Sequence, residues 1–318
     1  MFNHFIFSIN TVVPIFFLVT LGYVLKKREF LPEKFISAGN RLVFYILLPI
    51  AMFNSVYVTD LDELFNVGFA AFAIGASVVS WAVIWVISAF FIKDKRVLGS
   101  FVQGAFRSNT VFFGIPLMRN LAGEAGVARF ALIIALIMPV YNICSILVLS
   151  VCADTGEKLK LKTIALTIAK NPLIIAIVTG SVFSLLNVPL PQSVTRTLND
   201  LSDMAPSMSL ICLGGGITFL GFEKKFKYAF VASVLKVIIL PIAFTAAAFA
   251  FGFRGIDLAA FMVLGGLPSA FAGYVMAVQI GCDAYTSSNI IIISTLLSAL
   301  TLMLFIYLWR WGLFYDIV

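Results

Sequence analysis

Polar and helix-breaking residues gather at two places in an otherwise apolar chain. The first, Gly104 to Asn120, reads GAFRSNTVFFGIPLMRN and sets Arg107, Ser108, Asn109, Thr110, Gly114 and Pro116 close together. The second, Val263 to Ala277, reads VLGGLPSAFAGYVMA and holds Gly265, Gly266, Pro268, Ser269 and Gly273. Proline lacks an N–H and cannot support the turn before it. Glycine adds conformational freedom and no packing. In lipid, freed backbone groups are tolerated only where protein or a water-filled cavity satisfies them. Each stretch is therefore expected to break a membrane helix, the first over residues 109–116, and to line a site. A plain proline kink without a ligand is the alternative reading. A half-helix N-terminus offers free N–H groups and partial positive charge, while unwound carbonyls suit cations. Neither stretch contains Asp or Glu, so Asn109, Thr110 and Ser269 beside such termini suit an anion better than a cation.

Ionisable residues at membrane depth are costly and are candidates for function. Lys236 sits about ten residues into an apolar run, AFVASVLKVIILPIAF, with no acid nearby in sequence. It could pair with an anionic substrate, hold the crossing in place of a coupling cation, or snorkel to the membrane surface. Arg107, two residues before the first break, could meet a carboxylate bidentately or clamp loop carbonyls. Asp203, with Asp200 and ahead of Pro206, could partner Lys236 or Arg107, relay a proton, or be an ordinary acid at a helix start. Asn40, beside Arg41, could join such a relay or be a capping group. The single histidine, His4, and four cysteines without metal-ligand spacing argue against zinc sites, catalytic triads and Cys-His pairs. No metal, no cofactor and no enzymatic activity are expected. Coupling to H+ or Na+ stays open.

The elements that must position these residues follow from composition. Of 318 residues, 61% are hydrophobic and 12% charged, and the mean hydropathy is +1.06. Soluble domains carry about 25% charged residues. The chain reads as an all-α integral membrane protein. Taking ~20 apolar residues per crossing, ten transmembrane helices are expected, near 5–25, 35–56, 66–92, 97–120, 126–152, 164–187, 196–221, 227–251, 257–281 and 285–310. The opening MFNHFIFSINTVVP lacks a basic leader and reads as the first span. Thirteen Lys and Arg fall in the loops after spans 1, 3, 5 and 7, against five in the opposite loops. That asymmetry puts the first set in the cytoplasm and both termini outside. The net charge of +7 then reflects topology and does not point to nucleic acid.

The two breaks also match each other. Asn109-Thr-Val-Phe-Phe-Gly114 aligns without gaps on Pro268-Ser-Ala-Phe-Ala-Gly273, a shift of 159 residues. The same shift brings Thr20 to Thr179, Leu31-Pro32 to Leu190-Pro191 and Asn40 to Asn199. Two halves, 1–159 and 160–318, each with five spans, would insert in opposite senses as inverted repeats. Corresponding breaks in such halves, here helices 4 and 9, point to a transporter's binding site near the midplane.

Ten spans with SNTVFFGIPL in the fourth and GGLPSAFAGYVMA in the ninth resemble the auxin efflux carrier family, in particular its bacterial malate and malonate permeases. The resemblance covers the whole chain and implies a fold similar to the bile acid symporter and sodium/proton antiporter group. It implies a scaffold of spans 1, 2, 6 and 7 that can form a homodimer, and a moving transport core of spans 3–5 and 8–10. It also implies a carrier of a small organic anion, a mono- or dicarboxylate, in the cytoplasmic membrane, working by an elevator-type motion. The family's crossover asparagine maps onto Asn109, its span-4 proline onto Pro116, its second crossover proline onto Pro268, and a basic residue of span 8 onto Lys236. A carrier of a non-carboxylate solute coupled to sodium or protons, and a transporter-like sensor, are the alternatives.

Overall fold

The computed structural model describes residues 2–58, 67–153, 170, 172–217 and 225–309. Every regular element among them is helical. The chain runs through α1 (Phe2–Lys27), α2 (Glu33–Leu42), α3 (Leu48–Tyr57), α4 (Val67–Phe91), α5 (Lys95–Phe106), α6 (Ile115–Ala153), α7 (Pro172–Leu185), α8 (Gln192–Gly215), α9 (Phe226–Val234), α10 (Leu240–Ala250), α11 (Gly255–Gly266), α12 (Phe271–Ile280) and α13 (Ala284–Leu308).

Six helical stretches are long and apolar enough to cross a membrane: Phe5–Lys27, Glu33–Asn54, Val67–Phe91, Thr110–Ala153, Phe226–Ala250 and Ala284–Leu308. The other expected spans fall short for separate reasons. The fourth is cut after Phe106, and its second half runs on into the fifth through a corner at Ala122 and Gly123. Gly123 has φ 62° there, a left-handed conformation that glycine adopts without strain. The sixth begins in residues mostly outside the described ones. The seventh, α8, opens with the polar run QSVTRTLND. The ninth is cut into α11 and α12. The loop charges Asp60, Asp62, Glu63, Lys158, Lys160, Lys162, Lys224 and Arg310, and Asn171, also lie outside the described residues.

Three helices contain one wide π turn each, at Val43–Leu47, Thr110–Gly114 and Leu235–Ile239. Each is followed by one residue and then a proline: Pro49, Pro116 and Pro241. A proline cannot donate to the turn behind it, and its ring crowds the carbonyl four residues back. One extra residue in the preceding turn relieves both problems. Pro116 is thus accommodated within a helix. The backbone is extended earlier, with Arg107 at φ −82°, ψ 112° and Asn109 at φ −80°, ψ 68°. The break is at 107–109, and the expected 109–116 is placed too far along the chain.

Packing groups the helices into two sets, which also meet where α1 lies against α13 and α3 against α6. In one, α1 lies along α8, α3 along α7, and α8 against α3. In the other, α5 packs on α6 and α13, α4 on α5 and α6, α9 on α13, and α10 on α11. Phe69, Phe72, Phe253 and Phe261 form an aromatic cluster in the second set. Arg129 lies 4.0 Å over the Phe69 ring and donates from Nη2 to Asp257 Oδ2 at 2.7 Å. The α1–α8 contact is made at backbone distance: a Cβ on Gly22 would fall on the Ile211 carbonyl, and one on Gly214 on the Val19 carbonyl. Replacing Gly214 by Val should push these helices apart and cost about 1–3 kcal/mol, read as a lower unfolding midpoint in detergent.

Candidate functional site

The two interruptions meet. α5 ends at Phe106 and α11 at Gly266, and the residues after each are extended. Ser108 and Ser269 face one another in a short antiparallel bridge. Asn109 N–H donates to Pro268 O at 2.9 Å, and Ala270 N–H donates to Arg107 O at 3.2 Å. Each break thereby satisfies backbone groups of the other. These two bonds are exchanged by a local twofold relating residue 107 to 268 and 109 to 270, a shift of 161. The ungapped sequence alignment is therefore two residues out of register at this point, and Ser108, not Thr110, is the structural counterpart of Ser269.

Side chains fix the remaining ends. Ser108 Oγ donates to Leu264 O at 2.5 Å and accepts from the Tyr141 hydroxyl at 3.2 Å. Ser269 N–H donates to Ser294 Oγ at 3.0 Å. Lys236, fully buried, donates from Nζ to Gly265 O at 2.6 Å. Its ammonium thus caps the negative, C-terminal end of α11, where carbonyls lack partners within the helix. Gly265 permits this contact, since a Cβ there would meet Pro241 Cα at 2.8 Å. Lys236 thus meets a backbone carbonyl at the end of α11 and is fully buried, not extended to the membrane surface.

Arg107 is 4% exposed and meets neutral groups: Ser145 Oγ at 3.2 Å, Met276 Sδ at 3.2 Å and Asn142 Oδ1 at 3.1 Å. No carboxylate of the described residues lies within 4.0 Å of Arg107 or Lys236. The crossing therefore holds two buried basic side chains that meet only neutral partners among the described residues.

A narrow cleft opens beside the crossing, lined by Asn109, Leu213, Gly216, Ile217, Tyr274, Ser288, Ile291, Ile292 and Thr295. It has about 20 Å³ of room for the centres of water-sized spheres, space for about one water. The Asn109 side chain makes no capping hydrogen bond to its own helix and lines this cleft. The Asn109 carbonyl takes the first intrahelical bonds, from Phe113 at 3.3 Å and Gly114 at 3.2 Å. The N–H groups of Thr110, Val111 and Phe112 precede those bonds, as in any helix start.

The expected residues divide as follows. Asn109, Thr110, Pro268 and Ser269 come together at the crossing. Gly114 lies under the Phe130 ring, with the nearest atom other than the ring's edge, Leu267 Cδ1, 2.9 Å from where a Cβ would stand. Gly273 faces Gln103. Pro116 sits one residue into α6. Asp203 is largely exposed and bonded to Arg119 at 2.8 Å, not to Lys236 or Arg107. An exposed acid on a polar helix half finds a nearby surface arginine, whereas the two buried cations lie at depth. Asn40 stands eight residues into its helix span, away from the cleft lining, while its sequence mate Asn199 accepts a 2.7 Å bond from Asn54 Nδ2. Sequence reasoning missed Tyr274, Ser288 and Thr295. The signal was present on α13: residues 288, 291, 292 and 295 follow the i, i+3, i+4, i+7 spacing of one helix face.

The sequence model described as "Membrane transport protein" matches residues 7–306. Similar proteins run the full length of the chain. An "Uncharacterized transporter" of Methanothermobacter thermautotrophicus is 25% identical over 301 residues, 93% of this chain and 97% of its own. The "Uncharacterized transporter YfdV" of Escherichia coli K12 is 24% identical over 311 residues, 96% of this chain and 98% of its own. A protein of Rhizobium meliloti named "Putative malonate transporter" is 24% identical over 308 residues, 95% of each chain. With a broken-helix crossing at its centre and this match over nearly all its length, the chain belongs to the membrane transport protein family, that of the auxin efflux carriers.

Proposed function

We propose that this protein is a secondary carrier of a small organic anion, a mono- or dicarboxylate, bound at the crossing of helices 4 and 9. The observation that carries the reading is the crossing itself: two half-helix starts, an Asn109 side chain that lines the cleft and makes no capping bond, and two buried basic side chains held by neutral groups. In a state where the cleft is wider than the one-water space seen here, a carboxylate would accept from the Asn109 amide and from the N–H groups at Thr110 to Phe112. Lys236 and Arg107 would act on it from a distance in their charged forms, since each is already engaged by protein atoms. The relative named for malonate transport supports the carboxylate class.

In this reading ten spans form two inverted halves, 1–159 and 160–318. Paired elements support it: α4 and α9 start 159 residues apart, and α5 and α11, each of 12 residues, both stop at the crossing. Helices α1, α2, α3, α7 and α8 are the scaffold, with a homodimer formed through it, and the rest move as an elevator-type core. The loop charges place both termini outside the cytoplasmic membrane. Membrane lipid and a second copy of the chain are the partners of this reading, and coupling to H+ or Na+ supplies the drive where one is needed.

One observation favours a second reading. No charged side chain lines the cleft, which suits a non-carboxylate solute carried with sodium or protons. Thermal unfolding of the purified protein with mono- and dicarboxylates, cations and neutral solutes separates the two. A carboxylate at 100 times its Kd should stabilise by about 2.7 kcal/mol, and Asn109→Ala should abolish the effect. Stabilisation by neutral solutes or cations alone would sink the anion reading.

Lys236 gives a further test, because its two truncations should differ. Lys236→Met loses a charge-assisted bond of about 1.5–3 kcal/mol but no longer buries an ammonium, so stability should change by less than about 2 kcal/mol. Lys236→Ala also leaves a cavity and should cost about 2–5 kcal/mol. Chemical unfolding in detergent measures both, and equal losses would show that Lys236 does not pack as described.

A further inference from the structure

Arg119 belongs to the second half of helix 4, near its outer end, and reaches across to α8. It donates from Nη1 to Asp203 Oδ1 at 2.8 Å and from Nη2 to Ser202 Oγ at 3.3 Å. Glu124, beyond the corner at Ala122 and Gly123, holds the same guanidinium at 3.3 Å. The pairs Lys26–Glu33, Arg129–Asp257 and Lys225–Asp94 each stay within one packing set. The Arg119–Asp203 pair joins the two sets.

The contacts between Arg119 and the crossing form one seam. Asn120 Nδ2 donates to Thr11 O at 3.0 Å, the Phe113 ring packs edge-on against Phe16 at 5.3 Å, and Ser209 Oγ lies 3.4 Å from Phe112 O. Beyond them, at Asn109, the seam opens into the cleft, whose α8 and adjoining residues are Leu213, Gly216 and Ile217. From Asp203 to Leu213–Gly216 is roughly 15–20 Å along the helix axis, at ~1.5 Å per residue. One end of the seam is pinned by charge and the other gives access to the site.

We infer that Arg119 and Asp203 form an outer latch, and that this structure is the state closed to the outside and open toward the cytoplasmic end of α8. The inference rests on the carrier reading and on the orientation given by the loop charges. Glu124 keeps Arg119 in place when the latch parts, so the arginine need not be left without a counter-charge in the other state. Asp203, 74% exposed on its side chain, faces water there and can separate from Arg119 at little solvation cost. The latch therefore biases an equilibrium and does not lock it. An exposed ion pair of this kind sets a population ratio of about fivefold at most.

The test uses Ser288→Cys as a reporter of the cleft in protein reconstituted into vesicles, treated from either side with a membrane-impermeant maleimide. The four native cysteines are buried, and protein without the added cysteine sets the background. With the latch intact, labelling should come from the cytoplasmic side. Asp203→Asn and Arg119→Gln should each raise external labelling about threefold to fivefold, and Asp203→Glu, which keeps the pair of charges, should not. Unchanged external labelling in both single variants would overturn the latch. So would an equal rise in Asp203→Glu, since that marks lost packing and not a lost pair. Asp203→Asn alters an exposed side chain, so the test survives a failure of Arg119→Gln to fold. The readout needs no substrate, so the latch and the carboxylate assignment stand or fall separately.

Discussion

Everything near the centre of this protein depends on satisfying backbone polar groups where no water of the lipid phase can reach them. An unbroken helix meets that demand within itself. Two helices that stop midway each release carbonyls on one side of the break and N–H groups on the other. Here the breaks serve one another through the Ser108–Ser269 bridge. The carbonyls at the end of α11 are then closed off by three different donors: Leu267 N–H on Val263 O, the Ser108 hydroxyl on Leu264 O and the Lys236 ammonium on Gly265 O. The C-terminal end of α11 is spoken for, and the N–H groups at the start of the second half of helix 4 remain. That asymmetry, and not an explicit anion-binding side chain, gives the site its polarity.

The same constraint governs the two cations. A buried ammonium or guanidinium is expensive unless paired. Lys236 has a carbonyl at a helix end, which already carries about half a negative charge. Arg107 has an amide oxygen, a hydroxyl and a thioether, a weaker set. Both basic groups are held by neutral partners. In the proposed carrier an entering anion would meet them without displacing either side chain, so that the substrate can arrive and depart without dismantling the crossing.

Much of this was legible in the sequence, for a simple reason: an apolar chain makes its few polar and helix-breaking residues conspicuous. The two breaks, Asn109, Ser269, Arg107 and Lys236 stand out because hydrocarbon tolerates no idle polar group. What was hidden has equally physical causes. Pro116 looked like the cause of the break, but a π turn absorbs a proline at little cost, as Pro49 and Pro241 also show. The register of the crossing was missed because two residues are gained between otherwise matching elements, and a gapless alignment cannot show that. Asp203 was offered to distant cations because sequence separation says nothing of depth. Its partner Arg119 looked like one more loop charge. Ser288 and Thr295 were passed over because single hydroxyls on an apolar helix usually bond back to their own turn, as Ser294 and Ser298 do.

The distribution of directional contacts bears on how the two packing sets could move. Apolar contact is non-directional and roughly indifferent to small sliding, and the glycines Gly22 and Gly214 let α1 and α8 pack at backbone distance. Among the described residues the side-chain hydrogen bonds between that pair and helix 4 are few: Arg119 to Asp203 and Ser202, Asn120 to Thr11, and Ser209 to Phe112. All lie between the outer end of helix 4 and the crossing, and beside the crossing itself the surface falls away into the cleft. A rigid crossing cannot change its own geometry without exposing the backbone groups it was built to satisfy. If access to the site is to alternate, the seam is where the change must occur, because its bonds can be exchanged for water at the outer surface one at a time.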